Sequence, residues 1–524
     1  MEKFNFDQLF VLDLANNHQG DVPHALNIIK QASEQVNKYN IRAGIKFQFR
    51  HLDTFIHEDF KGNKEVKHIN RFESTRLDLE AYQQLVQEIK KQGVLTICTP
   101  FDEISVDHIC DLNIDVVKVA SCSSQDWPLL RKIATVKKPV IVSTAGLSIS
   151  KIDKLVSFLK GYNVEFAIMH CVAIYPTPDE ELQLNQIDVL RDRYADIPIG
   201  FSTHEDQDNI SPVQIAVAKR SQLFERHIGL NTESYKLNAY SSTPEQLDKW
   251  FAAYRKAIAI CGAYNSRPSP LIEKESLRTL KRGVYLKQDI KMGSAINSDD
   301  VYFAMPAQDG QMTSEQYRDG IVADIDYSIN QSLPQKLCNT QQTEKDIILD
   351  IVLQVRGMLN NAKIYVGKDV SLEISHHYGL RHFREFGCVI LTCINRTYCK
   401  KLIIQLPRQK HPYHLHKKKE ESFQLLSGDL EVELNGQRKK LELGDVVLVE
   451  PDTWHKFHTL DGAIFEEIST THYNDDSFYD DERISELTRD MRKTIVENWG
   501  ALEYLTYPNE ESEAVSKETE AVYV

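Results

Sequence analysis

Residues 78–100 read "DLEAYQQLVQEIKKQGVLTICTP". The first part is amphipathic, with Tyr82, Leu85, Val86 and Ile89 recurring at helical spacing among charged and amide side chains. From Val94 the composition changes to a short apolar run, as expected of a strand buried on both faces of a parallel sheet. The same unit recurs from residue 9 to about residue 229. Its other apolar runs are "LFVLDLA" (9–15), "AGIKFQF" (43–49), "VVKVAS" (116–121), "PVIVSTA" (139–145), "FAIMHCV" (166–172), "PIGFST" (198–203) and "LFERHIG" (223–229). A second amphipathic segment, "SISKIDKLVSFLKGYN" (148–163), separates two of them. Eight strands alternating with helices predict an α/β fold, a closed (β/α)8 TIM barrel. A doubly wound open sheet is the rival, but it rarely uses eight such regular units.

The rest of the chain differs. "LKRGVYLKQDIKMGSAINSDDVYFAMP" (280–306) has short strand-like pieces and turn residues, which predict a small β-rich domain. A helical stretch follows at 344–364. Residues 365–475 return to strands, and "LLSGDLEVELNGQRKKLELGDVVLVEPDTWHKFHTL" (425–460) alternates apolar and polar residues. Turns at Ser427-Gly428, Asn435-Gly436 and Gly444-Asp445 suit an antiparallel barrel or jelly roll. The expected domains are 1–268 (barrel), 269–335 (β-rich), 336–490 (antiparallel barrel) and 491–524, an acidic tail expected to be partly disordered.

The 524-residue chain has a formal net charge of −14 and no long basic stretch, which argues against non-specific nucleic-acid binding. No apolar run is long enough to cross a bilayer, and "MEKFNFDQLFVLDLA" has no basic segment before a long apolar one, so a cytoplasmic protein is expected. The nine cysteines include no C-x-x-C pair. Cys98, Cys122 and Cys171, in apolar runs, are expected to be buried thiols.

Chemistry in a (β/α)8 barrel sits at the C-terminal ends of the strands. Those ends carry Asp13, Lys46 with Gln48, Thr99, Lys118 with Ser121, Ser143, Tyr175, Ser202 with His204, and Glu225 with His227. Lysine is rarely buried unless paired, so two inward lysines among hydroxyls describe a phosphate or phosphocarboxylate site. His204 and His227 end neighbouring strands, at a spacing that lets two imidazoles share one Mn²⁺, Zn²⁺ or Fe²⁺ used as a Lewis acid. Two hydrogen-bonded core histidines are the alternative.

These residues carry a resemblance. "LDLANNHQG" (12–20), "IKFQF", "TICTPFD" (96–102), "VVKVAS", "VIVSTAGLS" (140–148), "HCVAIYPTP" (170–178), "IGFSTH" and "FERHIGL" occur in order between residues 9 and 263 and resemble the sialic acid synthase family. The resemblance implies condensation of phosphoenolpyruvate with an open-chain aldose to a nonulosonic acid, with Mn²⁺ favoured at His204 and His227. Lys46, Gln48, Asn63 (in "KGNKEV"), Thr99, Lys118, Ser121, Ser143, Tyr175 and Ser202 would bind substrate. Asp13 and Glu225 would position or deprotonate water. Residues 269–335 are similar to the antifreeze-like (SAF) domain of that family, which lies over the active site of the partner, so a domain-swapped homodimer is implied.

Departures from the family pattern, all but the one at Asp13, gather on the sugar side. Asp13 stands where the family usually has Glu, Ala173 where it has Asn, "YKLNAYSS" (235–242) replaces a segment with aspartate, and Met305 in "YFAMPAQDG" replaces an arginine near the N-acetyl group. The resemblance with these departures implies an aldose other than N-acetylmannosamine. Two readings stand against the synthase: a Schiff-base aldolase using Lys118 or Lys46, and a sugar-sensing protein whose barrel activity has decayed.

Near the C-terminus, "PYHLHKKKEES" (412–422) places His414 and His416 on one side of a strand, followed by Glu421. "GDVVLVEPDTWHKFH" (444–458) adds His455. With Gly428, this spacing resembles the two motifs of the cupin family and implies Mn²⁺, Zn²⁺, Fe²⁺ or Ni²⁺ on three imidazoles and one carboxylate. The "KKK" between is expected to be a solvated strand end or turn. "FEEISTTHYNDDSFYDDERI" (465–484) is similar to D-lyxose isomerases. That similarity makes Glu467 a candidate isomerase base, with Glu466 facing the other way. A cupin that only binds sugar or stabilises an oligomer is the alternative.

Overall fold

A computed structural model describes residues 3–263, 267–338, 344–367 and 370–499. The chain divides into two compact units, Met1–Ser269 and Pro270–Val524.

The first unit is a closed barrel of eight parallel strands in sequence order. They are β1 (Leu9–Asp13), β2 (Arg42–Phe49), β3 (Leu95–Pro100), β4 (Val116–Val119), β5 (Val140–Ser143), β6 (Phe166–Cys171), β7 (Ile199–Ser202) and β8 (Leu223–His227). The stretch that opened the reading folds as expected, a helix Leu79–Lys91 followed by β3. Asp78 caps that helix by accepting from the Ala81 N–H, an interaction worth about 1 kcal/mol. Gly93, at φ +72, turns the chain into the strand.

Alternation along each strand sorts side chains into two environments. Phe10, Leu12, Ile45, Phe47, Val117, Val142, Ile168 and Phe224 face outward into the core under the helices. Leu9, Val11, Ile97, Val116, Ile141, Ala167, Met169 and Leu223 face inward and fill the floor of the barrel. Two residues further along the same inward rows, the side chains become polar: Asp13, Lys118, Ser143, Ser202 and Glu225. The polar layer lies above this floor, at the strand ends.

The second unit begins with a helix, Leu271–Arg278, and a small β-rich segment. There Gly283–Leu286 pairs antiparallel with Val301–Ala304, and Ala295–Ile296 with Ile321–Val322. A helix Glu344–Asn361 then packs on the first of two antiparallel sheets. One sheet has the order Val446–Val449, Glu421–Gly428, Ala463–Thr470, Tyr398–Gln405, Cys388–Asn395, Leu372–Ser375, Lys493–Val496. The other runs Gln437–Leu441, Leu430–Leu434, His455–His458, His414–Leu415, Phe478–Tyr479. Phe423, Leu425, Val432, Phe457 and Phe465 form the core between them. The three expected turns carry Gly428, Gly436 and Gly444, all at positive φ.

Two expectations need correction here. Cys122 is exposed, in the short 3₁₀ turn Ser121–Ser123 after β4, because the apolar run ends at Val119. Cys98 and Cys171 are buried, as expected. The tail expected from residue 491 starts later: Lys493–Val496 is an edge strand paired with Leu372–Ser375, and the Trp499 indole donates to the Val370 carbonyl at 2.7 Å. The disorder expected of the remaining tail, 500–524, falls outside the described residues.

At Gly428, φ is +85, and an added Cβ would meet the Gly462 carbonyl oxygen at 1.9 Å. Gly428→Ala is therefore expected to lower stability by about 2–4 kcal/mol in chemical denaturation, against less than about 0.5 kcal/mol for an exposed surface substitution.

Candidate active site and candidate metal centre

At the C-terminal end of the barrel, adjacent strands bring the polar layer together by register. Asp13 is level with Lys46 on one side and His227 on the other, and Ser202 is level with Glu225. Lys46 Nζ lies 2.9 Å from Asp13 Oδ2 and 2.6 Å from Glu225 Oε1, while Lys118 Nζ lies 3.3 Å from Glu225 Oε2 and bonds Ser143 Oγ. Burial works against charge on all of these groups, and the ion pairs decide the outcome. For Lys46 the two carboxylates outweigh burial and raise its pKa. For Lys118 burial prevails and lowers it, with Glu225 opposing. Glu225 is also buried, but Lys118 and Lys46 together hold its carboxyl well below the usual range, so it is a carboxylate at neutral pH.

His204 and His227 stand side by side with ring centroids 5.3 Å apart and ring planes tilted by 41°. His204 Nδ1 bonds the Val172 carbonyl at 2.9 Å, so that nitrogen carries the proton and Nε2 keeps a lone pair. His227 Nδ1 lies 3.4 Å from Asp13 Oδ2. Burial, then the neighbouring His227, lowers His204 to about 4, and burial lowers His227 against the pull of Asp13. Both rings are neutral near pH 7 and have the donor set a divalent ion needs.

A cavity of about 1180 Å³ opens above this layer. Asp13, Lys46, Gln48, Lys118, Ser121, Ser143, Tyr175, Ser202, His204, Glu225 and His227 all line it. Two expected residues do not. Thr99 is level with Gln48 but fully buried, and its hydroxyl has no hydrogen-bond partner among the described residues. Asn63 is spent locally: its side-chain oxygen accepts from the Glu65 and Val66 N–H groups at 2.9 and 3.3 Å, an Asx turn. Ala173 and Tyr235 to Tyr240 contribute wall to the cavity. Arg50, which the sequence reading passed over, also lines the cavity, held between Phe101 at 3.6 Å and Phe72 at 4.0 Å. Its signal was the inward period-two row Lys46, Gln48, Arg50.

In the second unit, His414, His416 and His455 each offer a ligand atom, all within 4.8 Å of one another. His414 and His455 are directly paired in register across two strands. The three Nδ1 atoms bond backbone carbonyls: His414 to Pro412 at 3.1 Å, His455 to Thr453 at 2.9 Å, and His416 to Asp476. Carbonyls only accept, so each Nδ1 is protonated and each Nε2 keeps a lone pair. Glu421 Oε2 lies 3.2 Å from His455 Nε2, and Oε1 3.6 Å from His416 Nε2. Lone pairs facing lone pairs at these distances fit a cation between them. Burial lowers His416 to about 4 and His414 well below its ordinary value.

The "KKK" expectation fails at its third residue. Lys417 and Lys418 are exposed, but Lys419 is only 2 % exposed, bonded to Glu421 and, at 2.9 Å, to Glu467 Oε1. The strand begins two residues later, and the alternation of Lys419 with Glu421 turns the lysine inward. Glu467 lies in this cavity with Lys401 as a second partner at 3.2 Å, while Glu466 faces away and pairs with Lys400.

Comparisons with known proteins follow this division. The NeuB family model matches residues 38–266, and a cupin domain model matches residues 402–466. An uncharacterized protein of Methanocaldococcus jannaschii is 30% identical over 295 residues, 56% of this chain and 83% of that protein. The N,N'-diacetyllegionaminic acid synthase of Campylobacter jejuni is 24% identical over 312 residues, 57% of this chain and 90% of that protein. A crystal structure from Chromobacterium violaceum, of a spore coat polysaccharide biosynthesis protein E, is 44% identical with a TM-score of 0.61. That alignment covers 63% of this chain and 98% of the other.

Protonation competes with metal for the imidazoles, and for His414 and His416 burial has moved that competition to low pH. A divalent ion at His414, His416 and His455 is expected to stay bound at neutral pH and to leave on acidification as His416, which burial lowers to about 4, takes up its proton, followed by metal analysis after dialysis. His414→Ala should remove it at neutral pH, and His204→Ala should not.

Proposed function

The chain belongs to the NeuB family, whose relatives include sialic and nonulosonic acid synthases, and on that premise we propose that its barrel joins phosphoenolpyruvate to the aldehyde of an open-chain sugar. One observation carries the reading: Lys46, Lys118, Glu225, His204 and His227 line a single cavity at the strand ends. Lys46 and Lys118, with Ser121, Ser143 and Ser202, hold the phosphate and carboxylate of phosphoenolpyruvate. The methylene carbon of the enol ester attacks the aldehyde carbon and forms the new C–C bond. The cation left at the enol carbon takes up water, and the tetrahedral product breaks its C–O bond to release phosphate.

Glu225 is held ionised by its two ammonium neighbours, so it accepts a hydrogen bond from the incoming water and cannot act as a proton donor near pH 7. Asp13, between Lys46 and His227, takes the proton that the water loses. His204 and His227 would hold a divalent ion, Mn²⁺ being favoured, which supplies a Lewis acid for the aldehyde oxygen. Ala173, Met305 and the Tyr235–Tyr240 wall support an aldose other than N-acetylmannosamine. Residues 269–335 serve as an SAF-like lid, and in this reading they cover the barrel of a second copy in a homodimer. The C-terminal cupin is a metal-dependent sugar module, either an isomerase using Glu467 or a binding domain.

The lowered pKa of buried Lys118 favours one rival, a Schiff-base aldolase. Borohydride with a keto substrate separates the two: covalent trapping on Lys118 supports the aldolase, and none is expected.

Phosphate release from phosphoenolpyruvate across a panel of aldoses, with and without Mn²⁺, tests the synthase. Release should depend on both the aldose and the metal, and Lys118→Met should lower it about 10³-fold. N-acetylmannosamine turning over faster than every other aldose would contradict the substrate reading. For the cupin, ketose–aldose exchange that is lost in Glu467→Gln supports the isomerase, and no exchange with metal bound supports the binding module.

A further inference from the structure

The cupin cavity, about 260 Å³ in volume, holds more positive charge than its metal centre explains. Lys401, Lys419, Arg489 and Lys493 line it, against the carboxylates Glu373, Glu421 and Glu467. The two carboxylates outside the histidine cluster are each straddled by two cations. Glu467 lies 3.2 Å from Lys401 and 2.9 Å from Lys419, and Glu373 lies 2.6 Å from Lys493 and 3.4 Å from Arg489. Glu421, the third carboxylate, faces His416 and His455, so a bound cation would draw it away from Lys419 and add positive charge.

Three of the four cations are well shielded from water. The side chains of Lys419, Lys401 and Lys493 are 2 %, 5 % and 18 % exposed. The lining carries four cations against three carboxylates, the excess lying at the Lys493–Arg489 end beside Glu373, and this net positive charge favours an anion in the remaining space. The volume corresponds to about nine waters at ~30 Å³ each, the scale of one monosaccharide. A neutral sugar would fill it without meeting the charge.

We propose that this cavity binds an anionic sugar, a polyhydroxylated chain bearing a carboxylate or phosphate, with its oxyanion toward the Lys493 and Arg489 end and its hydroxyls toward the histidine cluster. The inference deepens the reading of the cupin as a sugar module, and it uses the metal only as a second contact.

Calorimetric titration of the full-length protein, metal-free and Mn²⁺-loaded, with galacturonate, galactose 6-phosphate and galactose tests it. At least one anionic ligand should bind about tenfold more tightly than galactose, and the tighter of the two identifies the oxyanion. That preference should shrink as salt rises from about 50 to about 500 mM. Lys493→Gln and Arg489→Gln should each remove most of the preference while leaving Mn²⁺ binding unchanged. Retained binding of the Mn²⁺ that His414→Ala removes reports a folded cupin domain, and the more exposed Arg489 provides the variant least able to disturb packing. Equal affinity for galactose and both anions, or an anion preference that survives both substitutions, overturns the proposal. Failure of Mn²⁺ to bind with the preference intact counts against the metal centre alone.

Discussion

The carboxylate of Glu225 lies 2.6 Å from Lys46 Nζ and 3.3 Å from Lys118 Nζ, buried at the centre of the barrel. Taking three charges out of water is costly, and only mutual pairing at this range makes the arrangement tolerable. The apolar floor of Leu9, Val11, Ile97, Ile141 and Leu223 beneath it keeps water out and keeps the interaction strong. The eight-strand register fixes where the charges meet. Asp13, level with both Lys46 and His227, links the charged cluster to the imidazole pair. A dianionic substrate entering this cavity would exchange with the carboxylates for the two amines, so the resting ion pairs keep the lysines charged until it arrives.

The second unit repeats the logic with different parts. Strand alternation again turns a row of polar residues inward, and backbone carbonyls fix the proton on Nδ1 of three imidazoles. What converges is a set of lone pairs and a carboxylate, which suits a cation, next to two carboxylates each straddled by two cations, a net positive charge that suits an anion. The two cavities therefore offer related chemistry on unrelated scaffolds.

Much of this was legible in the sequence because period two and helical spacing are local signals. The eight apolar runs became β1 to β8, and the residue types at their ends predicted the polar layer. His414, His416, Glu421 and His455 were readable because fixed spacing on paired strands sets which way they point. The misses have a common cause. Lys419 looked solvated because its neighbours are, and its inward direction depends on where the strand begins. Arg50 continues the inward row of Lys46 and Gln48, but it lies just past the end of β2, and Phe72 and Phe101 close on it from other elements. Asn63 was assigned by motif, yet its carboxamide is committed to its own turn. Lys401, Lys493 and Arg489 come from distant segments, and only the folded sheet places them around one cavity.

The account turns on phosphoenolpyruvate losing phosphate by cleavage of its C–O bond in an aldehyde-dependent reaction at the Lys46–Lys118–Glu225 cluster. Phosphoenolpyruvate labelled with ¹⁸O at the bridging oxygen tests this directly by mass analysis of the phosphate released with an accepted aldose. Phosphate carrying the label, formed only when the aldose is present, is the predicted result. Unlabelled phosphate, or release that ignores the aldose, would contradict it.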